Sequence, residues 1–98
     1  MTKYQPSQMT WSIYDFDGNE TASTTLLDGE YTVMQLNPYG HETFKSTQTV
    51  AINNGKIDIR AAQEVIADYL NKCGGWHTSI VAAWEGPEAN TITFSLGI

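Results

Sequence analysis

Only one stretch of this chain, Ile57 to Gly75 (IDIRAAQEVIADYLNKCGG), carries the period of an α-helix. That limits the folds open to it. Ile59, Ala62, Ile66, Tyr69, Leu70 and Cys73 recur at spacings of three and four, which places them in one apolar stripe. Arg60, Glu64, Asp68 and Lys72 follow at steps of four on the other side and are expected in water. Gly74 is the stop, because glycine accepts the left-handed conformation that closes a last helical turn. A lone helix with a one-sided stripe must bury it against something flat, and the rest of the chain reads as strands.

Before the helix, Met9 to Phe16 alternates and is rich in aromatic and β-branched residues, which predicts a first strand. Trp11 and Ile13 would share one face, with Ser12, Tyr14 and Phe16 on the other, so this strand would be either central or covered on both faces. Asp17-Gly18 marks a tight turn into a threonine-rich partner, Glu20 to Leu27, suited to a sheet edge. Asp28-Gly29 turns again into Glu30 to Leu36, with Tyr31, Val33 and Gln35 on one face. After the turn Asn37-Pro38-Tyr39-Gly40, the strand Thr43 to Ile52 lines up Phe44, Val50 and Ile52, a row interrupted by Ser46 and Gln48. Asn53-Asn54-Gly55 then reverses the chain into a short return, Lys56 to Ile59. Four glycine-bearing turns so close together predict an antiparallel meander.

Beyond the helix, His77 to Trp84 and Thr91 to Leu96 read as a hairpin around the loop Glu85 to Asn90. Ile80, Ala82 and Trp84 would face inward with Ile92, Phe94, Leu96 and Ile98, leaving Thr91, Thr93 and Ser95 outward. The expected fold class is therefore α+β: an antiparallel β-sheet of about six strands (meander, then one helix, then a C-terminal hairpin) with the single helix packed on one face. The 98 residues make one domain, with residues 1–8 as a loose leader.

The run Leu27-Asp28-Gly29-Glu30-Tyr31-Thr32-Val33 resembles the Gly-x-Tyr-Thr-Val strand of extracellular immunoglobulin-like and prealbumin-like β domains. The resemblance spans seven residues and implies a strand there. The later helix departs from those folds, and no function is carried over.

Charge narrows function further. The net charge is −6, and from Tyr4 to Phe44 there is no lysine or arginine, while Asp15, Asp17, Glu20, Asp28, Glu30 and Glu42 all fall there. Binding a phosphate backbone needs several cations, so direct nucleic-acid binding is not expected. No apolar run approaches the roughly 20 residues that span a bilayer, and the N-terminus lacks an apolar signal segment, so no membrane partner is expected. A single cysteine makes no internal disulfide and agrees with a cytoplasmic, intracellular setting.

Chemistry finds little footing. Asp15 to Glu20 begins like a calcium loop, but its sixth position is Glu20 and its twelfth Leu26, where glycine and glutamate are needed. Cys73 and His77 stand four apart, yet only His41 and scattered carboxylates could complete a metal set. The plainer expectation is a buried core Cys73 and histidines at turn positions. There is no phosphate loop and no nucleophile motif. No catalytic residue, cofactor or metal is therefore expected, and the chain reads as a non-enzyme.

The aromatic load is the remaining anomaly: three tryptophans and five tyrosines exceed what so small a core can hold. Tyr39, in a turn, and Trp76, after Gly74-Gly75, are candidates for a binding surface, with a cap over the helix end as the alternative for Trp76. The expected function is an acidic protein-binding module using Asp15, Asp17, Glu20, Asp28, Glu30, Tyr39 and Trp76. It would be a small inhibitor or modulator of virus or mobile-element type, such as an anti-defence protein or nucleic-acid mimic, acting on a basic surface of a host protein. One alternative is an assembly subunit, a homodimer for example, pairing through Glu20–Leu27 and Thr91–Leu96 as sheet edges. A second is a small metal-binding or cysteine-dependent enzyme.

Overall fold

The helix forms where its period places it, as α1, Ile59–Cys73, in a computed structural model that describes residues 3–98. Asp58 caps its start by accepting a hydrogen bond from Ala61 N, and Gly74 ends it at φ 77° with its N–H on Leu70 O. Ala62, Val65, Ile66, Ala67 and Leu70 are buried, so the stripe gains Val65 and Ala67, while the expected Ile59 and Tyr69 are half-buried and Cys73 is exposed. The wet side carries the i,i+4 ion pair Lys72–Asp68 at 3.1 Å.

The strands are β1 (Thr10–Trp11), β2 (Gly29–Leu36), β3 (Glu42–Asn53), β4 (Lys56–Ile57), β5 (Ser79–Glu85) and β6 (Thr91–Gly97). They form one sheet in the order β1-β5-β6-β2-β3-β4. The α+β class holds, but the sheet is mixed: β2 pairs with β6 in parallel, and β1 with β5 in parallel. Turn chemistry dictates only sequential partners, here β2-β3-β4 and β5-β6. The helix is a connection long enough to return the second group to the far side of β2. A purely antiparallel sheet is thereby corrected.

The helix lies along β3. Asp58 N donates to Ala51 O at its start, and Cys73 Sγ lies 3.5 Å from Thr43 O at its end. Tyr69 meets Phe44 with ring centroids 5.2 Å apart, and Trp11 meets Phe94 edge-on at 6.3 Å. Between helix and sheet the core comprises Met9, Trp11, Val33, Phe44, Val50, Ile52, Ile57, Ile80, Ile92 and Phe94 with the helical stripe.

A bulge in β3 accompanies the expected row of Phe44, Val50 and Ile52, which is buried, while the features of β5 and β6 correct the expected faces. Opposite Val33, β3 bulges over Ser46–Gln48, and Ser46 Oγ takes the Val33 N–H that the ladder has lost. A second shift at Val81 moves β5 out of phase: Ile80 faces the core, then Ala83, and Trp84 turns outward to bond Ser95 Oγ through Nε1 at 3.0 Å. Thr91 is buried because its hydroxyl ties the β5–β6 loop at Glu88, whereas the expected inward Ile98 is exposed.

The first expected hairpin also changes. The strand Met9–Phe16 shrinks to Thr10–Trp11, and Glu20–Leu27 forms no strand, only bridges at Tyr14↔Glu20 and Ser23↔Lys56. The leader is docked from Tyr4 onward: Tyr4 exchanges backbone bonds with the Asn71 side chain, and its hydroxyl donates to Gly75 O at 2.6 Å. The first two residues of that leader lie outside the described residues.

The seam between the two sequential groups is short, with registered pairs only at Thr32↔Thr91 and Val33↔Ile92. Side chains extend it. Buried Gln35 donates from Nε2 to Phe94 O at 2.9 Å and accepts from Phe94 N at 2.8 Å, and Thr93 Oγ1 donates to Met34 O at 2.6 Å. Gln35→Leu keeps the volume but strands both Phe94 groups, so urea unfolding should show a loss of about 2–4 kcal/mol. A loss below about 1 kcal/mol would remove this role from Gln35.

Candidate protein-binding surface

From β1 the chain enters a minimal hairpin. Thr21 N donates to Ile13 O, and Asp15 N to Asn19 O, both at 2.9 Å. Its tip is the three-residue form in which a β-turn is followed by a left-handed residue. Gly18 N bonds Asp15 O at 3.1 Å, and Gly18 has φ 82°. One oxygen of Asp15 accepts from both Asp17 N and Asn19 N at 2.9 Å. Asp15 is thus the frame of the tip. The carboxylates of Asp17 and Glu20 take no hydrogen bond or ion pair among the described residues.

The segment after this hairpin straps the sheet. Trp11 Nε1 donates to Thr21 O, while the neighbouring Ala22 O accepts from Ile57 N, each at 2.9 Å. Adjacent residues therefore touch strands at opposite edges, β1 and β4, which means the sheet is curled around the helix. Thr24 N then bonds Gly55 O, and Asp28 closes the strap by accepting from Asn54 N and Gly55 N, one on each oxygen, at 2.9 Å. Asn54 (φ 53°) and Gly55 (φ 71°) form the turn between β3 and β4, within the expected Asn53-Asn54-Gly55, whose first residue ends β3. Glu30 accepts from Thr49 Oγ1 across the β2–β3 pair.

These positions divide the seven expected residues. Asp15, Asp17 and Glu20 lie on the hairpin, Asp28 closes the strap, and Glu30 follows Asp28 by two residues. Tyr39 sits in the loop at the other end of the β2–β3 hairpin, about 23 Å away at the usual rise of a strand. Trp76 also belongs to that far end, just past the helix terminus that meets Thr43, and is 77% exposed. It does not cap the helix. Acids and the two expected aromatics therefore do not form one patch.

The aromatics that do accompany the acids are Tyr14 and Phe16. Both were expected to be covered; Tyr14 is 57% exposed and Phe16 fully so. The sequence signal for this was present in Asp15 and Asp17, since acids on both sides of Phe16 and a following glycine place it in a turn. A further exposed ring, Trp84, lies on the sheet face away from the helix.

Cys73 is exposed, which corrects the buried core thiol: the stripe ends at Leu70, and Cys73 lies past the edge of the core beside Thr43. His41 is exposed, and His77 is half-buried with Nδ1 enclosed and unpartnered. Among the described residues no three His, Cys, Asp or Glu side chains converge to hold a metal ion, and no helix is long and apolar enough to cross a membrane. A cleft of about 520 Å³ lies between the docked leader and the helix end. Lys3, Tyr4, Gln8, Leu70, Asn71, Gly74 and Gly75 line it, with no carboxylate, imidazole or thiol. As for the sheet edges, Thr91–Leu96 belongs to β6, between β5 and β2, so it cannot pair with a second copy.

The chain matches no protein-family model, no curated protein and no solved structure.

Two outcomes follow from these placements. Asp28→Ala should cost about 1–2 kcal/mol because two turn amides lose a charged acceptor, whereas Asp17→Ala should stay within about 0.5 kcal/mol. Equal effects in thermal unfolding would contradict the division. Cys73 should be labelled by a maleimide in the folded protein about as fast as in urea, and protection of the native thiol would contradict its exposure.

Proposed function

We propose that the protein is a non-enzymatic acidic binding module that acts on a basic surface of another protein as a small inhibitor or modulator. The observation that supports this reading most is the unneutralised charge of the hairpin at Asp17 and Glu20. Asp17 and Glu20 project from a bonded hairpin, Asp28 and Glu30 continue the same sign, and the chain from Tyr4 to Phe44 supplies no lysine or arginine. The ion pairs of the described residues, Lys45–Glu88 and Lys72–Asp68, lie elsewhere.

A predominantly acidic field of this kind, with Lys56 a cation beside the strap at Ser23, speeds encounter with an oppositely charged surface and makes the rate sensitive to salt. A basic groove is the complementary shape for a projecting hairpin, including a groove that otherwise takes a phosphate backbone. The fold leaves this surface separate from its own stabilisation, since the acids that hold turns (Asp15, Asp28) differ from those that face water (Asp17, Glu20).

The double variant Asp17→Lys/Glu20→Lys leaves every turn bond in place. Against a partner recovered from the source cells and then purified, its association rate should fall about tenfold at low salt and lose most of its salt dependence. An unchanged rate in the folded variant would overturn the electrostatic reading.

A further inference from the structure

We propose that Phe16 is the anchor of this binding surface, and that the partner offers an apolar socket rimmed by lysine or arginine. This rests on the acidic-module reading and adds to it the residue that supplies affinity. Phe16 is fully exposed, so it contributes no burial to the fold, and Tyr14 at the base of the same hairpin is 57% exposed. A large ring held in water gains from any apolar enclosure, and buried aromatics are the usual anchors of protein interfaces.

The ring is not on a floppy loop. The flanking amides of Asp17 and Asn19 are bonded to the Asp15 carboxylate, Gly18 N to Asp15 O, and Asp15 N to Asn19 O. A tip already held in one conformation loses less entropy on docking than a flexible one.

Charge decides what kind of socket fits. Asp15 and Asp17 flank the ring in sequence, and Glu20 is bridged to Tyr14 across the hairpin. A purely apolar socket would leave these carboxylates desolvated without partners, and an anionic lipid surface or a second copy of this hairpin would repel them. A cationic rim meets them. The other exposed rings lack this setting: Tyr39 and Trp76 are at the far end of the β2–β3 hairpin, and Trp84 is bonded to Ser95 on the open sheet face.

The test uses the whole protein and two short synthetic peptides of equal positive charge, one interspersing lysine with leucine and tryptophan, the other lysine with serine. Binding is read by calorimetry and by amide shifts in nitrogen-15 NMR spectra. The apolar cationic peptide should bind more tightly and shift residues 13–21. Phe16→Ala should weaken it about tenfold, to the level of the serine peptide, without changing the thermal midpoint, and Phe16→Trp should restore it. Asp17→Lys/Glu20→Lys should weaken both peptides.

If the charge variant weakens both peptides and Phe16→Ala weakens neither, the anchor is overturned and the acidic module stands. Shifts centred on Trp84 or Trp76 also overturn the anchor. If neither peptide binds the native protein, or the charge variant has no effect, both readings fall together.

Discussion

The structure depends on the parallel seam between β2 and β6. Sequential hairpins give two separate groups, β2-β3-β4 and β5-β6, and this seam is where they become one sheet. Its backbone register covers only two pairs, so the remaining joins come from side chains, above all the Gln35 amide on both polar groups of Phe94. In a buried setting such bonds matter less for their net gain than for the penalty of leaving them unmade. Val33, Ile92 and Phe94 lie along the seam on its core face, so the joins that align the strands also place these side chains under the helix.

Everything else is arranged around that sheet. The helix covers one face and runs along β3, fixed by Asp58 at one end and Gly74 at the other. The strap from Thr21 to Asp28 ties the two edges, and the hairpin that leads into it carries Asp15, Asp17 and Glu20. Its hairpin then projects from a base bonded on both sides, which separates two roles. Trp11, Asp15 and Asp28 hold the scaffold, while Phe16, Asp17 and Glu20 spend their side chains on water.

Much of this was legible in the sequence because it is encoded locally. The helix announced itself by period and stop residue, the Asn54-Gly55 turn by its demand for positive φ, and β2, β3 and β6 by alternation. Partner choice was not legible, since alternation says which face a residue takes and not which strand lies beside it. Gln35 read simply as one member of a row on one face, and nothing local marks it as a join. Trp84 was misassigned because the shift at Val81 moves the phase by one residue, which reverses every face beyond it. Cys73 fitted the helical spacing, but the core ends beneath Leu70, and where a sheet stops cannot be read from a helix alone. The candidate surface was half legible: its acids were visible, while its own aromatic, Phe16, was hidden by a strand assignment that tertiary context did not sustain.

The central claim is that a seam-locked scaffold presents a rigid, acid-flanked hairpin. Backbone nitrogen-15 relaxation of the free protein tests this most directly at the amides of Asp15, Asp17, Gly18 and Asn19. Order parameters of about 0.85, matching those of β2 and β6, are the predicted result. Values below about 0.6 at these amides would contradict it, because the tip would then be a flexible loop with no preformed surface to offer.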